Sequence, residues 1–528
     1  MLDLNLPRQF NAADYFVDRN IAEGRGDKTA VLFEDQVISY NLLSENVNRT
    51  ANALSQLGVG MENRVMLLLR DTPEMIYSFY GAIKAGAVPI PTNILMKAPD
   101  FLYMLNDSRA PVLIVDAAFL AEIEKILDQA VFLRNVVVCG GQDHRHLSFD
   151  KLLNKAGTDF TAAATTGDDA AFWLYSGRNP AKLMGAVHHH SHMVYCAEAY
   201  AKGVLNMSAE DRAMGSFLFF AYGLGNGAYF PFAVGAATIL ISHPPKPELL
   251  YQDLVQYRPT LFFTVPTLLG ALADYKQTCR AAGPELPPVS SLRACISSAE
   301  ILSPDIYRRF KEEFGVEILD GTGSTEICHI FLSNRFGEVR PGSAGKPVPG
   351  YRMRLLDDDG QPVVPGQTGH LLVSGGSIAS AYWNQREETK HNMRGAWFVT
   401  GDRYRVDEDG YYYFCGRSDD MLRVGGKWLA PQEVENTLNR HPAVLESAVV
   451  GYPDKDALVK PYAFVVLKPN YASSAGLEEE LKQFVRDKIA AYKYPRWIEF
   501  SDEIPKTPGG KIQRFRLQER VKERATSR

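Results

Sequence analysis

The sequence predicts an α/β fold: a large N-terminal domain of parallel sheets covered by helices, with a small β subdomain, followed by a small α+β C-terminal domain. Three observations carry this. The 528 residues exceed what one hydrophobic core encloses, so at least two domains are expected, one of them large. An early stretch reads strand, helix, strand, with apolar runs continuous enough for a sheet buried on both faces. After about residue 340 this alternation gives way to short strands and tight turns.

Leu43, Val47, Ala51 and Leu54 recur at helical spacing and Gly58 supplies a stop, which predicts an amphipathic helix over about 41–57. Val65–Leu69 is an unbroken apolar run and reads as a strand. Thr72-Pro73 then opens a helix, with proline in the first turn where its missing N–H costs nothing, and the helix ends near Gly86. Val88–Pro91 begins the next strand. From Ala213 to Ser242 no residue is charged, a length sufficient to cross a bilayer. Gly215, Gly223, Gly225, Asn226, Gly227, Pro231 and Gly235 interrupt it, so buried strands and turns are expected instead. Turns at Asp357-Asp358-Asp359-Gly360 and Pro365-Gly366 mark the β subdomain. Beyond Asp419, strand-like Ala448–Val450 and Ala463–Val466 and a helix over about 477–490 form a compact C-terminal domain.

A net charge of −5 and a pI near 6.2 give no electrostatic footprint for nucleic acid, and the basic tail from Lys511 to Arg528 reads as a solvated helix face. The six cysteines form no Cys-x-x-Cys pair, which argues against zinc and against a disulfide framework. His188, His189, His190 and His192 lack an accompanying carboxylate pattern and read as a surface or core cluster. The N-terminus lacks the charged start and long apolar run of a secretory signal, so a cytoplasmic location without a membrane partner is expected.

Three further clusters occur in a fixed order: Asp320-Gly321-Thr322-Gly323-Ser324-Thr325-Glu326, then Thr400-Gly401-Asp402 with Gly416-Arg417-Ser418-Asp419-Asp420, then Pro505-Lys506-Thr507-Pro508-Gly509-Gly510-Lys511. Together they resemble the adenylate-forming enzymes, the superfamily of acyl-CoA synthetases, peptide-synthetase adenylation domains and luciferases. The resemblance implies ATP, Mg2+ and coenzyme A as cofactors, and attack of a carboxylate on the α-phosphorus as pyrophosphate departs. Charge on the phosphoryl oxygens is then neutralised by magnesium and a cation. It implies Lys511, Thr325 and Glu326 as catalytic residues, Glu326 being the Mg2+ ligand. Ser176, Gly177, Lys182, Ala299, Glu300, Asp320, Gly321, Thr322, Asp402 and Arg417 would bind the nucleotide. The domains would be 1–418 and a mobile 419–528 pivoting at Asp419. One orientation would bring Lys511 into the active site; the other would set Gly425, Gly426 and Lys427 beside the CoA tunnel.

Phe219–Gly227 and His329–Asn334 resemble the benzoate-CoA ligase branch specifically. On that resemblance Ala221, Tyr222, Gly223, Gly323, His329 and Ile330 would line a flat slot for a small aromatic carboxylic acid. Two places depart from the branch. Ala299 stands where it more often has glycine. Across Tyr175–Gly185, relatives carry a Ser/Thr/Gly run followed by Pro-Lys-Gly; here Met184 replaces the lysine, Pro180 lacks an amide proton, and Leu183 and Met184 cannot donate. The expected activity is an aryl-acid:CoA ligase for a benzoate-like acid, including hydroxy- or aminobenzoates. The alternative, with ATP use weakened by the altered loop, is an acyltransferase moving an aryl group from CoA to a carrier-protein thiol.

Overall fold

The computed structural model describes residues 2–141, 145–177, 183–215, 217–283, 286–300, 302–418, 420–424, 427–454, 458–506 and 512–526. The chain divides into two compact units, Met1–Arg352 with Val373–Phe398, and Met353–Leu372 with Val399–Arg528. The expected functional boundary at Asp419 lies inside the second unit, and residue 419 is outside the described residues.

In the first unit the strand–helix–strand pattern is realised. The first long helix is Tyr40–Gln56, capped by Ser39, whose hydroxyl accepts from the Leu42 N–H at 3.2 Å. Leu43, Val47, Ala51 and Leu54 are its buried face. Strands Arg64–Leu68 and Val88–Pro91 pair in parallel, with helix Pro73–Lys84 between them in the chain. Val112–Asp116, Asn135–Cys139 and Leu147–Ser148 extend this parallel sheet on the other side of Arg64–Leu68. Its strands are nearly all buried, which explains why they read as continuous apolar runs.

A second sheet has, among the described residues, the strand order Lys346–Pro347, Ile330–Ser333, Ile318–Gly323, Ala294–Ser297, Leu261–Thr264, Arg212–Met214, Ala237–Leu240, Thr29–Phe33 and Gln36–Ser39. Its central strands are parallel, so loops bearing chemistry gather at their C-terminal ends. Ile318–Gly323 continues past that edge and is met antiparallel by Ile330–Ser333. A third sheet joins Ala170–Ser176, Met184–His189 and Ala381–Tyr382, all antiparallel.

The uncharged stretch departs from expectation in its middle. It starts in strand Arg212–Met214 and ends in strand Ala237–Leu240, but helical turns Ala221–Leu224, Gly225–Tyr229 and Phe230–Val234 lie between. A fully buried segment is apolar on every side, so periodicity cannot separate helix from strand there. Among the described residues no helix is long and apolar enough to cross a membrane.

In the second unit, strands Trp397–Val406 and Tyr412–Arg417 pair antiparallel, with Asp402 opposite Arg417. Val444–Pro453 and Val459–Leu467 form a long antiparallel pair, and Trp497–Phe500 adds in parallel. One face of this sheet packs Val449 and Val465 against Val434, Leu438, Leu481 and Val485 of helices Pro431–Leu438 and Ala475–Lys488. The other face packs Val450 and Phe464 against Leu517 and Val521. The basic tail is thus a helix, Arg514–Thr526, with one apolar side in the core.

Candidate active site

Strand Ile318–Gly323 ends in a tight turn, Thr325–Ile327, and Cys328 at φ +71° reverses the chain into Ile330–Ser333. Glu326 sits in this turn and is only 8% exposed. A buried carboxylate keeps its charge only if partners replace water. Ser176 Oγ donates to Glu326 Oε1 at 2.7 Å, and Tyr382 Oη donates to the same oxygen at 3.0 Å. Among the described residues none bonds Oε2. One carboxylate oxygen is therefore anchored and the other is available to a hard cation, with the Thr325 hydroxyl next along the chain. No cluster of three His, Cys, Asp or Glu able to hold a metal occurs among the described residues. Mg2+ takes one or two carboxylates and completes its shell with water and phosphate.

The turn is also held from its backbone. His188, fully buried on strand Met184–His189, donates Nε2–H to the Thr325 carbonyl at 2.7 Å and stacks on Phe172. Burial pushes this imidazole down to about 4, so it is neutral, and its Nδ1 meets His192 Nδ1 at 3.2 Å. His190 Nδ1 accepts from the Ala12 N–H at 3.0 Å. Of the surface or core placement expected, the structure shows His188, His190 and His192 in the core and His189 half-buried, and His188 has a positioning task that the sequence did not announce. Tyr382 was missed as well: it lies 56 residues beyond Glu326, on a strand of two residues with no motif.

The aromatic residues expected to receive an acid lie on the same unit. Tyr222 Oη donates to the Ile296 carbonyl at 2.9 Å, at the end of strand Ala294–Ser297, while the Tyr222 carbonyl accepts from His329 Nε2 at 3.2 Å. The two rings stack at 5.7 Å. Burial pushes His329 down to about 3, so it too is neutral. His329 and Ile330 are fully buried, Ala221 and Gly223 buried, and Tyr222 half-buried. The glycines here are required by close approach: a Cβ on Gly323 would fall 2.7 Å from the His329 carbonyl oxygen, on Gly321 2.8 Å from the Leu332 oxygen, and on Gly225 2.4 Å from the His329 ring. Asn334 closes the motif by donating Nδ2–H to the Asp320 carbonyl at 3.0 Å.

Around the expected nucleotide positions, Ser297 and Asp320 face each other across parallel strands. Burial pushes the Asp320 carboxyl up to about 8, and its Oδ1 has no hydrogen-bond partner. Ala299 adopts φ +73°, a left-handed conformation that suits glycine. The departure noted in the sequence is therefore a backbone departure. Glu300 Oε2 accepts from Thr267 N–H at 3.1 Å and Thr267 Oγ1 at 2.6 Å, capping helix Pro266–Ala282. In the altered loop, Leu183 is 2% exposed and packs with Met66, Leu68 and Leu113, and Met184 packs against Ala379 and Tyr382. Both apolar substitutions thus serve the core. Lys182 lies outside the described residues; Gly177 is exposed at the end of strand Ala170–Ser176.

In the second unit, Arg417 Nη1 pairs with Asp402 Oδ1 at 2.7 Å, and Thr400 Oγ1 accepts from the Asp402 N–H at 3.0 Å. Lys511, Asp419, Gly425 and Gly426 lie outside the described residues, and of Lys427 only the backbone, in strand Lys427–Leu429, is described. Lys506 and Ile512 form an antiparallel bridge, and Gln513 N–H donates to the Pro505 carbonyl at 2.8 Å. Just beyond, Arg514 Nη2 reaches both oxygens of buried Glu435 at 2.7 Å, a two-point ion pair well suited to fixing a backbone position.

The chain matches the AMP-binding enzyme family over residues 18–383 and the AMP-binding enzyme C-terminal domain over residues 433–511. It is 44% identical over 519 residues to the benzoate–CoA ligase of Thauera aromatica, covering 97% of each chain. It is 41% identical over 514 residues to the 4-hydroxybenzoate–CoA/benzoate–CoA ligase of Rhodopseudomonas palustris, covering 97% of this chain and 94% of that one. The crystal structure of the anthranilate CoA ligase AuaEII in complex with anthranoyl-AMP aligns with a TM-score of 0.93 at 40% identity, covering 100% of both chains. A benzoate CoA ligase structure from Burkholderia xenovorans LB400 aligns with a TM-score of 0.87 at 43% identity, covering 96% of this chain and 99% of that one.

Two outcomes follow from the geometry. A left-handed alanine costs roughly 1–2 kcal/mol and glycine returns about 0.5–1 kcal/mol through its unfolded-state freedom, so Ala299→Gly should stabilise the chain by roughly 0.5–1 kcal/mol in denaturant unfolding; a lower midpoint would show that the methyl packs usefully. Tyr382→Phe removes one of two donors to Glu326 Oε1 and should lower kcat/KM for adenylation about tenfold while leaving unfolding within about 1 kcal/mol, as measured by pyrophosphate exchange and denaturant titration.

Proposed function

The chain belongs to the AMP-binding, adenylate-forming enzymes and to their benzoate–CoA ligase-like branch, and from that membership we propose that its substrate is a benzoate-like acid, with hydroxy- and aminobenzoates within its range. It is an AMP-forming acid–thiol ligase that works with ATP, Mg2+ and coenzyme A to give an aryl-CoA thioester. The alternative of an aryl transfer from CoA to a carrier-protein thiol is not favoured, since these full-length relatives are CoA ligases. The observation that supports the reading most is the Glu326 carboxylate, bonded through Oε1 alone among the described residues, beside the C-terminal ends of parallel strands and on the same unit as the hydrogen-bonded Tyr222–His329 pair.

In this reading Glu326 holds the metal through Oε2 and Thr325 offers its hydroxyl to the α-phosphate. Magnesium, once bound, supplies positive charge to the phosphate oxygens. Ser176, Gly177 and Lys182 face the distal phosphates. Ala299, Glu300, Asp320, Gly321 and Thr322 border the nucleoside, and Asp402 accepts from the two ribose hydroxyls with Arg417 at its side. Ala221, Tyr222, Gly223, Gly323, His329 and Ile330 form the acid slot. Lys511 brings a cation to the reacting carboxylate and phosphate. Domains 1–418 and 419–528 turn about Asp419 between the half-reactions, and Gly425, Gly426 and Lys427 border the path of the thiol in the second.

Asp320 has a distinct task in this scheme. With its carboxyl pushed up to about 8, it is protonated at neutral pH and presents both a donor and an acceptor to the base.

The expected outcomes are specific. ATP–pyrophosphate exchange should depend on a benzoate; exchange that ignores benzoates would remove the aryl reading. Lys511→Ala should abolish that exchange yet form thioester from presynthesised aryl-AMP, and equal loss in both half-reactions would refute the division of labour. KM for ATP should rise above pH about 8 as Asp320 ionises, and Asp320→Asn, neutral at every pH, should flatten that rise; an identical rise in the variant would place the titration elsewhere.

A further inference from the structure

Asp71 lies between strand Arg64–Leu68 and helix Pro73–Lys84, and is 6% exposed. Its carboxylate reaches across 146 residues to the segment that leads into the acid slot: Oδ2 accepts from the Phe217 N–H, and Oδ1 accepts from the Leu218 N–H at 2.9 Å. Phe217 is at φ +66°, which a phenylalanine adopts only when its surroundings impose it. Successive N–H groups converge on one anion when the backbone turns through a left-handed residue, and here the anion is a side chain of the protein itself.

What this clamp holds is the start of the slot. Phe220 N–H donates to the Phe217 carbonyl at 2.9 Å, closing a turn, and Phe220 then accepts from the Leu224 N–H at 2.8 Å as the first residue before helix Ala221–Leu224. Leu218, fully buried, occupies space left by Gly227, where a Cβ would lie 2.6 Å from Leu218 Cδ2. The start of helix Ala221–Leu224, through the Phe217–Phe220 turn, and the following turn at Gly227, through Leu218, are therefore both referred back to the two residues that Asp71 holds. The neighbouring cation is engaged elsewhere, since Arg70 Nε bonds Asp116 Oδ2 at 2.6 Å. Among the described residues, the buried Asp71 carboxylate bonds these two amides alone.

We propose that Asp71 is a positioning residue for the aryl acid: by holding the Phe217–Leu218 backbone in its left-handed turn it fixes where the Ala221–Tyr222 wall stands. This rests on the reading that those residues line the acid slot. A carboxylate suits this site because each of its oxygens accepts from one amide. Asparagine offers one oxygen to two donors and sets its own NH2 against the second.

The test is a comparison of Michaelis constants in the full chain. Asp71→Asn should raise KM for benzoate about tenfold, with kcat and KM for ATP within about twofold of wild type. Glycine adopts the left-handed turn without restraint, so in a Phe217→Gly background the same Asp71→Asn change should raise the benzoate KM by about threefold at most. If Asp71→Asn alone gives no folded protein, Asp71→Asn/Phe217→Gly compared with Phe217→Gly carries the measurement. An unchanged benzoate KM, equal loss in all three constants, or no rescue by Phe217→Gly would overturn the inference while leaving the aryl-acid reading intact. Absence of benzoate-dependent exchange in the wild-type chain would overturn that reading and this inference with it.

Discussion

The first unit is built around giving a buried carboxylate its partners. Glu326 has lost most of its water, and a buried polar group without partners is costly. Two hydroxyls, from Ser176 and Tyr382, replace the water on one oxygen, and none of the described residues bonds the other. This demand propagates outward. Ser176 and Tyr382 come from strands of one small sheet, and the strand between them, Met184–His189, supplies the imidazole that holds the Thr325 carbonyl. The third sheet is in effect a frame around one side chain.

The same economy of motion governs the aromatic wall. Tyr222 is fixed at its hydroxyl by the Ile296 and Thr264 carbonyls and at its backbone by a neutral histidine, so the ring cannot turn without breaking a buried hydrogen bond. The close strand at Ile330–Ser333 permits this, and it fits only because residues 321, 323 and 225 have no side chain. A rigid wall suits a flat, rigid acid, since little conformational entropy remains to be lost on binding.

Much of this was legible in the sequence, and the exceptions share a cause. The cluster Asp320–Glu326 announced the carboxylate and its neighbours because those residues are contiguous on one strand and turn. Tyr382, His188 and Asp71 escaped because their significance is a distance across the fold, carried by residue types that are ordinary where they stand. Nor did the sequence show that Gly321, Gly323 and Gly225 admit the Ile330–Ser333 strand and the His329 ring, since that too is a matter of distance across the fold. Leu183 and Met184 counted as lost donors in the sequence; in the fold they are core residues, and Met184 packs against the tyrosine that holds Glu326. The middle of the uncharged stretch, expected as strands and turns, is helical because total burial erases the pattern that would distinguish them.

In the proposed reaction a carboxylate oxygen of the acid becomes bonded to the α-phosphorus of ATP. Benzoate labelled with heavy oxygen in its carboxylate, turned over with ATP and coenzyme A, tests it most directly. When the thiol displaces AMP from the mixed anhydride, the carbon–oxygen bond breaks and that oxygen stays on phosphorus. The account predicts one labelled oxygen in AMP for each thioester formed; label in pyrophosphate or phosphate, or AMP free of label, would contradict it.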